Sequence, residues 1–412
     1  MNKIFNLIKH PLFSGSAIMI VGSNLVSFLN YFYHLIMGRM LGPANYGELA
    51  ALISLIGLLG IIPSSISLVV IKYISSADKQ EVNNLINWLK KKVFLISFIL
   101  FVAILLISPF ITSFLKIPKM SYLIFIAIAF LFSFQSGLNR SILQGLLRFK
   151  DMVVSTLLEG GVRLIASIFL VYLGFQISGV MFALTISAVL GWYLTNNYLK
   201  QKSNREADPP PPNIKPMLVF TIPVIIQTIA ITSLYSSDVI LVKHFFSSHD
   251  AGIYAALSTL GKIIFFGSGP IASVMFPLVS QRHSRGAKYN KILIYSLAAT
   301  VAVAIFISMF YYLFPTFAIS LLYGSAYVNT ASLLVWFGIF ISLFTLSSLI
   351  VSFNLSLGKT RVVILPLLAA LAQIIFIWIY HQSIFQVVLV SVITNALLLL
   401  TLLIYSIYSK KN

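Results

Sequence analysis

The chain has no cysteine. That excludes disulfides, thiol nucleophiles and thiolate metal sites. Acid is scarce as well, with nine Asp and Glu against 28 Lys and Arg in 412 residues. No paired carboxylates of the kind that acid–base catalysis uses appear. The six histidines are scattered and form no HxxxH pair. Neither a metal nor a cofactor is therefore expected. Charge of any sign is sparse, at 9% of residues, and mean hydropathy is +0.98. A soluble protein of this length needs more polar surface than that.

Long apolar runs take the place of the missing charge, and 59% of residues are hydrophobic. About 20 apolar residues span a bilayer. By that measure the chain is an all-α polytopic membrane protein of about twelve spans. The first six are 12–37, 45–73, 93–115, 120–147, 152–173 and 177–199. The second six are 216–246, 251–281, 290–322, 329–356, 361–380 and 384–408. The run from Leu12 to Met37 is too long for a signal-peptide core and reads as a retained helix. The net charge of +19 does not point to nucleic acid, because the basic residues fall between spans and build no basic domain. With the N-terminus inside, the cytoplasmic segments hold twenty-one Lys and Arg; the outer loops hold Arg39, Lys116 and Lys119. This bias predicts both termini on the cytoplasmic side, with contacts to anionic lipid heads.

The chain also repeats itself. Ala44, Gly60 and Pro63 match Ala251, Gly267 and Pro270, each pair 207 residues apart. A glycine followed by arginine at plus three closes the fourth span (Gly145, Arg148) and the tenth (Gly358, Arg361). These echoes predict two pseudo-symmetric six-helix bundles, 1–200 and 217–412. A stiff proline-rich linker at 201–216, with four consecutive prolines, joins them on the cytoplasmic side. Duplicated halves with a proline-broken helix in matching places point to a secondary transporter. Pro63 and Pro270 are candidate hinges. The stretch 38–47 reads as a turn, with Asn45 capping the next helix.

A charge inside an apolar span is paired, wet or functional. Arg140 precedes the turn near Phe149–Asp151, and Glu159 follows it at similar depth, roughly 12–15 Å from the cytoplasmic end, so the two can meet. Glu159 and Arg163 are also four apart on one helix face. One carboxylate thus faces two guanidiniums, which structurally is an ion-pair network and functionally a cationic site. In the seventh and eighth spans, Asp238 and Lys262 can pair, while Lys243 lies near the outer end and can snorkel. Arg39 and Glu48 flank the first outer turn as a surface pair. The membrane set carries two more positive than negative charges, which suits an anionic substrate. Polar stripes add to this: Asn24, Ser27, Tyr31, His34 and Gly38 on the first span, and Gln227, Thr228, Thr232, Tyr235 and Asp238 on the seventh. They serve as cavity lining or as helix–helix glue.

Three stretches together resemble the polysaccharide repeat-unit (O-antigen-type) flippases of the multidrug/oligosaccharidyl-lipid/polysaccharide exporter superfamily. They are GRMLGPANYGELAAL after the first span, ILQGLLRFKD closing the fourth, and SSDVILVKHFFSSHDAGIYAAL across the seventh and eighth. The resemblance implies two bundles around a V-shaped cavity that opens alternately inward and outward. It implies a polyprenyl-pyrophosphate-linked oligosaccharide as cargo, with cationic cavity residues holding the pyrophosphate. By depth and charge these are Arg163, Arg140 and Lys262, with Asn24, Tyr31, His34 and Tyr235 lining the path. Glu159 and Asp238 are the candidates for a coupling proton or sodium ion, and polysaccharide polymerase machinery is a candidate partner. A drug or small-cation antiporter of the same group is the first alternative. A membrane glycosyltransferase or polymerase is disfavoured because every outer loop is short. A plain scaffold leaves the mid-membrane charges unexplained.

Overall fold

The computed structural model describes residues 11–76, 79–200 and 215–408. Most of the predicted linker, and the terminal lysines of the charge count, lie outside the described residues. The chain is all-helical. Its helices are α1 (Pro11–Leu59), α2 (Ile61–Ser76), α3 (Lys79–Phe114), α4 (Ser121–Gly145), α5 (Phe149–Tyr172), α6 (Gln176–Lys200) and α7 (Lys215–Phe245). They continue with α8 (Ser248–Ser284), α9 (Asn290–Leu313), α10 (Pro315–Leu322), α11 (Leu334–Ser356), α12 (Ile364–Ile379) and α13 (Ile384–Tyr408). Two 3-10 turns, Ser325–Leu333 and Thr360–Val363, precede α11 and α12. Among the described residues ten helices are long and apolar enough to cross a membrane, and the bent α1–α2 pair adds a further candidate. A helix satisfies its own backbone, which is why apolar runs of this length fold this way in lipid.

The chain forms two compact units, one of residues 1–41 and 59–222, the other of 42–58 and 223–412. The boundary differs from the sequence expectation, because 42–58 packs with the second unit. Within unit 1, α4 packs on α2, α3 and α6, and α5 packs on α6. Within unit 2, α11 packs on α8, α9 and α13, and α12 packs on α13. The same pattern thus recurs around the fourth helix of each six. A polar bridge recurs with it: Asn139 donates to the Thr195 hydroxyl (3.2 Å) from α4 to α6, and Asn354 donates to the Ser406 hydroxyl (2.9 Å) from α11 to α13.

Three sequence expectations need correction. The turn predicted at 38–47 is a single break at Gly42 (φ 71°, ψ 172°), inside an otherwise helical α1. That backbone conformation suits glycine, and Pro43 restarts the helix because its fixed φ fits a first helical position. Asn45 lies within the restarted helix and does not open it. The glycine–arginine echo is out of register by two. α4 is closed by Leu147 (φ 60°), with Arg148 N–H on the Leu143 carbonyl, and α11 by Gly358 (φ 77°), with Lys359 N–H on the Asn354 carbonyl. Gly145 instead permits close packing, since a Cβ there would lie 2.8 Å from the Ile74 side chain. Finally, the ninth predicted span ends early, where Phe314 and Pro315 divide α9 from α10.

The helices face outward with their large apolar side chains. On α9, Ile305, Phe306 and Met309 are exposed while Ser296, Thr300 and Ala304 are buried. A protein solvated by hydrocarbon has no reason to hide its large apolar groups, and small residues let helices approach.

Candidate functional site

In unit 1 the first arm of α1 lies against α5 through glycines on both helices. A Cβ at Gly160 would meet Leu29 at 2.7 Å, and one at Gly22 would overlap Val153. This approach brings α1 to Arg163. The Arg163 guanidinium donates to the Asn30 side-chain carbonyl and lies 4.8 Å from the centre of the Tyr33 ring. Tyr33 is buried, whereas Asn30 is exposed. Of the predicted stripe, Asn24 and Ser27 are exposed, Tyr31 and His34 half-buried, and Gly38 buried. Asn30 and Tyr33 each adjoin a stripe residue in sequence.

The other arginine has a different partner. Arg140 forms an ion pair with Glu159 and also donates to the Ser155 hydroxyl (3.3 Å) and carbonyl (3.4 Å). The two side chains meet across the α4–α5 hairpin, as their equal depth requires. α6 leaves room for them: a Cβ at Gly191 would overlap the Glu159 carboxylate. Among the described residues Arg163 has no ion pair, although Glu159 lies one turn away on its own helix. Arg140 has taken the carboxylate.

In unit 2, Asp238 is fully buried, and the Tyr254 hydroxyl donates to its Oδ2 at 2.7 Å. Its Oδ1 is buried with no hydrogen-bond partner among the described residues. Lys262 is in electrostatic range of Asp238, but its ammonium sits over the Tyr235 ring, 5.3 Å from the centre. Asp238 and Lys262 thus interact electrostatically, with the Tyr254 hydroxyl on the carboxylate and the Tyr235 ring against the ammonium. Tyr235 packs against Phe265 and Phe344. Deeper in the unit, Gln373 donates to the Leu234 carbonyl (3.1 Å), and Asn395 donates to Gln373 Oε1 (3.3 Å).

The segment 42–58 is tied into unit 2 at the same end. A Cβ at Gly252 would overlap the Pro43 carbonyl, so the two backbones touch. Tyr46 stands 3.1 Å from the Tyr323 hydroxyl and 5.6 Å from its ring centre. Glu48 accepts from Ser248 (3.4 Å), and its charged neighbour is Lys243. Lys243 is 1% exposed and does not snorkel. A carboxylate within reach keeps it inside.

The two candidate hinges differ. Pro63 is the third residue of α2, just past Gly60, where α1 and α2 meet at a bend of about 40°. Pro270 lies inside an unbroken α8. Sequence reasoning missed Asn30, Tyr33, Tyr254, Gln373 and Asn395. Gln373 and Asn395 are isolated polar residues in apolar runs, a signal that was readable. Asn30 and Tyr33 carried no such signal, since tyrosine and asparagine recur along the first span.

A family model described as polysaccharide biosynthesis protein matches residues 13–283. No curated protein matches the chain. Among solved structures, the lipid II flippase MurJ in an inward closed conformation aligns with a TM-score of 0.74 at 16% identity, over 95% of this chain and 88% of that one. An inward-facing multidrug resistance MATE family transporter of the MOP superfamily aligns with 0.70 at 17%, over 94% and 96%. A MOP superfamily transporter from Pyrococcus furiosus, whose binding pocket is described as of reverse polarity, aligns with 0.63 at 17%, over 95% of each chain. These proteins share this chain's fold.

Proposed function

The chain belongs to the polysaccharide biosynthesis protein family, and on that premise we propose that it is a flippase for a polyprenyl-pyrophosphate-linked oligosaccharide. The head group passes from the cytoplasmic to the outer leaflet of the inner membrane by alternating access, and both termini are cytoplasmic. The polyprenyl tail stays in lipid, so the protein shelters only the sugar and the two phosphates, which hydrocarbon does not accept. The observation that carries this reading is Arg163, a guanidinium in an apolar helix with no carboxylate partner among the described residues. Arginine suits a phosphate because its planar fork gives two parallel hydrogen bonds. Lys262, seated on Tyr235, is the second cation. Asn24, Tyr31, His34 and Tyr235 line the sugar path. Arg140 recedes from this role, since Glu159 already neutralises it.

Asp238 is the group we assign to ion coupling, by proton or sodium. Its free buried oxygen supports that choice over Glu159, whose carboxylate is occupied. Pro63 and Pro270 act as hinges, and polysaccharide polymerase machinery receives the flipped unit. In liposomes carrying a fluorescent lipid-linked oligosaccharide, Arg163→Ala should abolish flipping while the purified protein stays monodisperse. Arg163→Lys should keep part of the activity. Wild-type flipping by a well-folded Arg163→Ala protein refutes the reading.

A cation antiporter is the second reading, favoured by the buried carboxylate of Asp238. Uptake of a cationic dye by the same liposomes under imposed proton and sodium gradients separates the two.

A further inference from the structure

We propose that Asn30 sets the charge of the Arg163 site. It holds the guanidinium through a neutral amide and so leaves a full positive charge for an anionic group. The inference rests on the flippase reading above and names what makes that site cationic.

An arginine in an apolar helix needs a partner. A carboxylate supplies one at the cost of the charge: the pair is neutral and attracts an anion weakly. An amide oxygen and an aromatic face supply the other kind, holding the group while its charge persists. This protein uses both. Arg140 has Glu159 and Ser155. Arg163 has Asn30 and the Tyr33 ring. The second arrangement is built, because the glycine contacts of α1 with α5 fix Asn30 and Tyr33 beside the arginine. The group's hydrogen bonding is incomplete, since Arg163 Nε is buried and makes no hydrogen bond among the described residues. Asn30 is itself exposed, so this end of the guanidinium is not sealed by its partner.

The choice of amide over acid is what discriminates a grip from a pin. Aspartate has the shape of asparagine and accepts the same hydrogen bond more strongly. If Arg163 only ties α1 to α5, Asn30→Asp tightens the tie and harms nothing. If Arg163 grips an anion, the same change cancels its charge and spoils the site without unfolding it. Asn30 is thus a positioning residue that acts through Arg163.

The test is equilibrium binding of undecaprenyl pyrophosphate to the purified full chain, with undecaprenol as the neutral control. Asn30→Asp should weaken pyrophosphate binding tenfold or more, leave undecaprenol binding unchanged and keep or raise the melting temperature. Asn30→Gln, which restores a neutral amide, should bind within threefold of wild type. If Asn30→Asp does not fold, Asn30→Glu takes its place with the same criteria. Wild-type binding by the acidic variant, with Arg163→Ala defective, overturns the role of Asn30 and leaves the Arg163 grip standing. Equal loss in Asn30→Gln and Asn30→Asp overturns it too, because charge is then not the cause. Wild-type binding by Arg163→Ala overturns the grip itself.

Discussion

Unit 1 and unit 2 handle buried charge in opposite ways. In unit 1 two arginines compete for Glu159; Arg140 holds it, and Arg163 rests on an amide and a ring. In unit 2 the acid is the group left incomplete: Asp238 has one oxygen on Tyr254 and one without a partner among the described residues, while Lys262 rests on Tyr235. One unit keeps a cation uncancelled and the other keeps an acceptor unfilled. On the flippase reading proposed above, the same packing would supply an anion grip in one unit and an ion-coupling group in the other, by changing which charge lacks its counterpart. In each unit a cation also lies over a tyrosine ring, Arg163 over Tyr33 and Lys262 over Tyr235.

The comparison breaks hardest at Glu159. Glu159→Gln strands Arg140 in an apolar helix; the pair is half-buried, so the cost stays below the about 3–5 kcal/mol of breaking a fully buried one. Thermal unfolding in detergent should show a large loss, and a second change, Arg140→Met, should restore much of it. An unchanged melting temperature in Glu159→Gln would make the pair dispensable. Asp238→Asn should be milder for the fold, because Tyr254 can still donate to the amide oxygen. Flipping in liposomes should fall about tenfold, or about 1.4 kcal/mol of barrier, and lose its response to the coupling gradient. A retained gradient response would remove Asp238 from coupling.

The smallest effects concern the matched prolines, and they sharpen the contrast between halves. Pro63 sits in the first turn of α2, where its missing N–H has no partner to lose. Pro63→Ala should therefore shift stability by less than about 0.5 kcal/mol yet trap one state and slow flipping. Pro270 interrupts the ladder of a continuous α8, so Pro270→Ala should raise the melting temperature, unlike Pro63→Ala. Equal stability shifts at both sites would mean that the bend at Gly60 does not matter to the helix that carries it.

Much of the fold was legible because lipid imposes a simple rule. Runs of apolar residues become helices, and Lys and Arg gather at their ends. The meeting of Arg140 with Glu159 followed from equal depth on a hairpin. The break at Gly42 was placed too broadly, since a single φ above zero leaves little trace in composition. Leu147 hid the α4 cap because leucine is not the residue that such a backbone conformation favours.

By itself, then, the sequence determined that the chain is a many-span membrane protein with duplicated halves and without cysteine. Hydropathy, charge placement and residue type are local quantities and need no partner to be read. Tertiary structure alone decided which arginine is neutralised, that Asn30 and Tyr33 hold the other, that Tyr254 reaches Asp238, and that 42–58 packs with the second unit. Each of these depends on which helix lies beside which. Close helix approach is set by small residues such as Gly160, Gly191 and Gly252, whose only signature is the absence of a side chain.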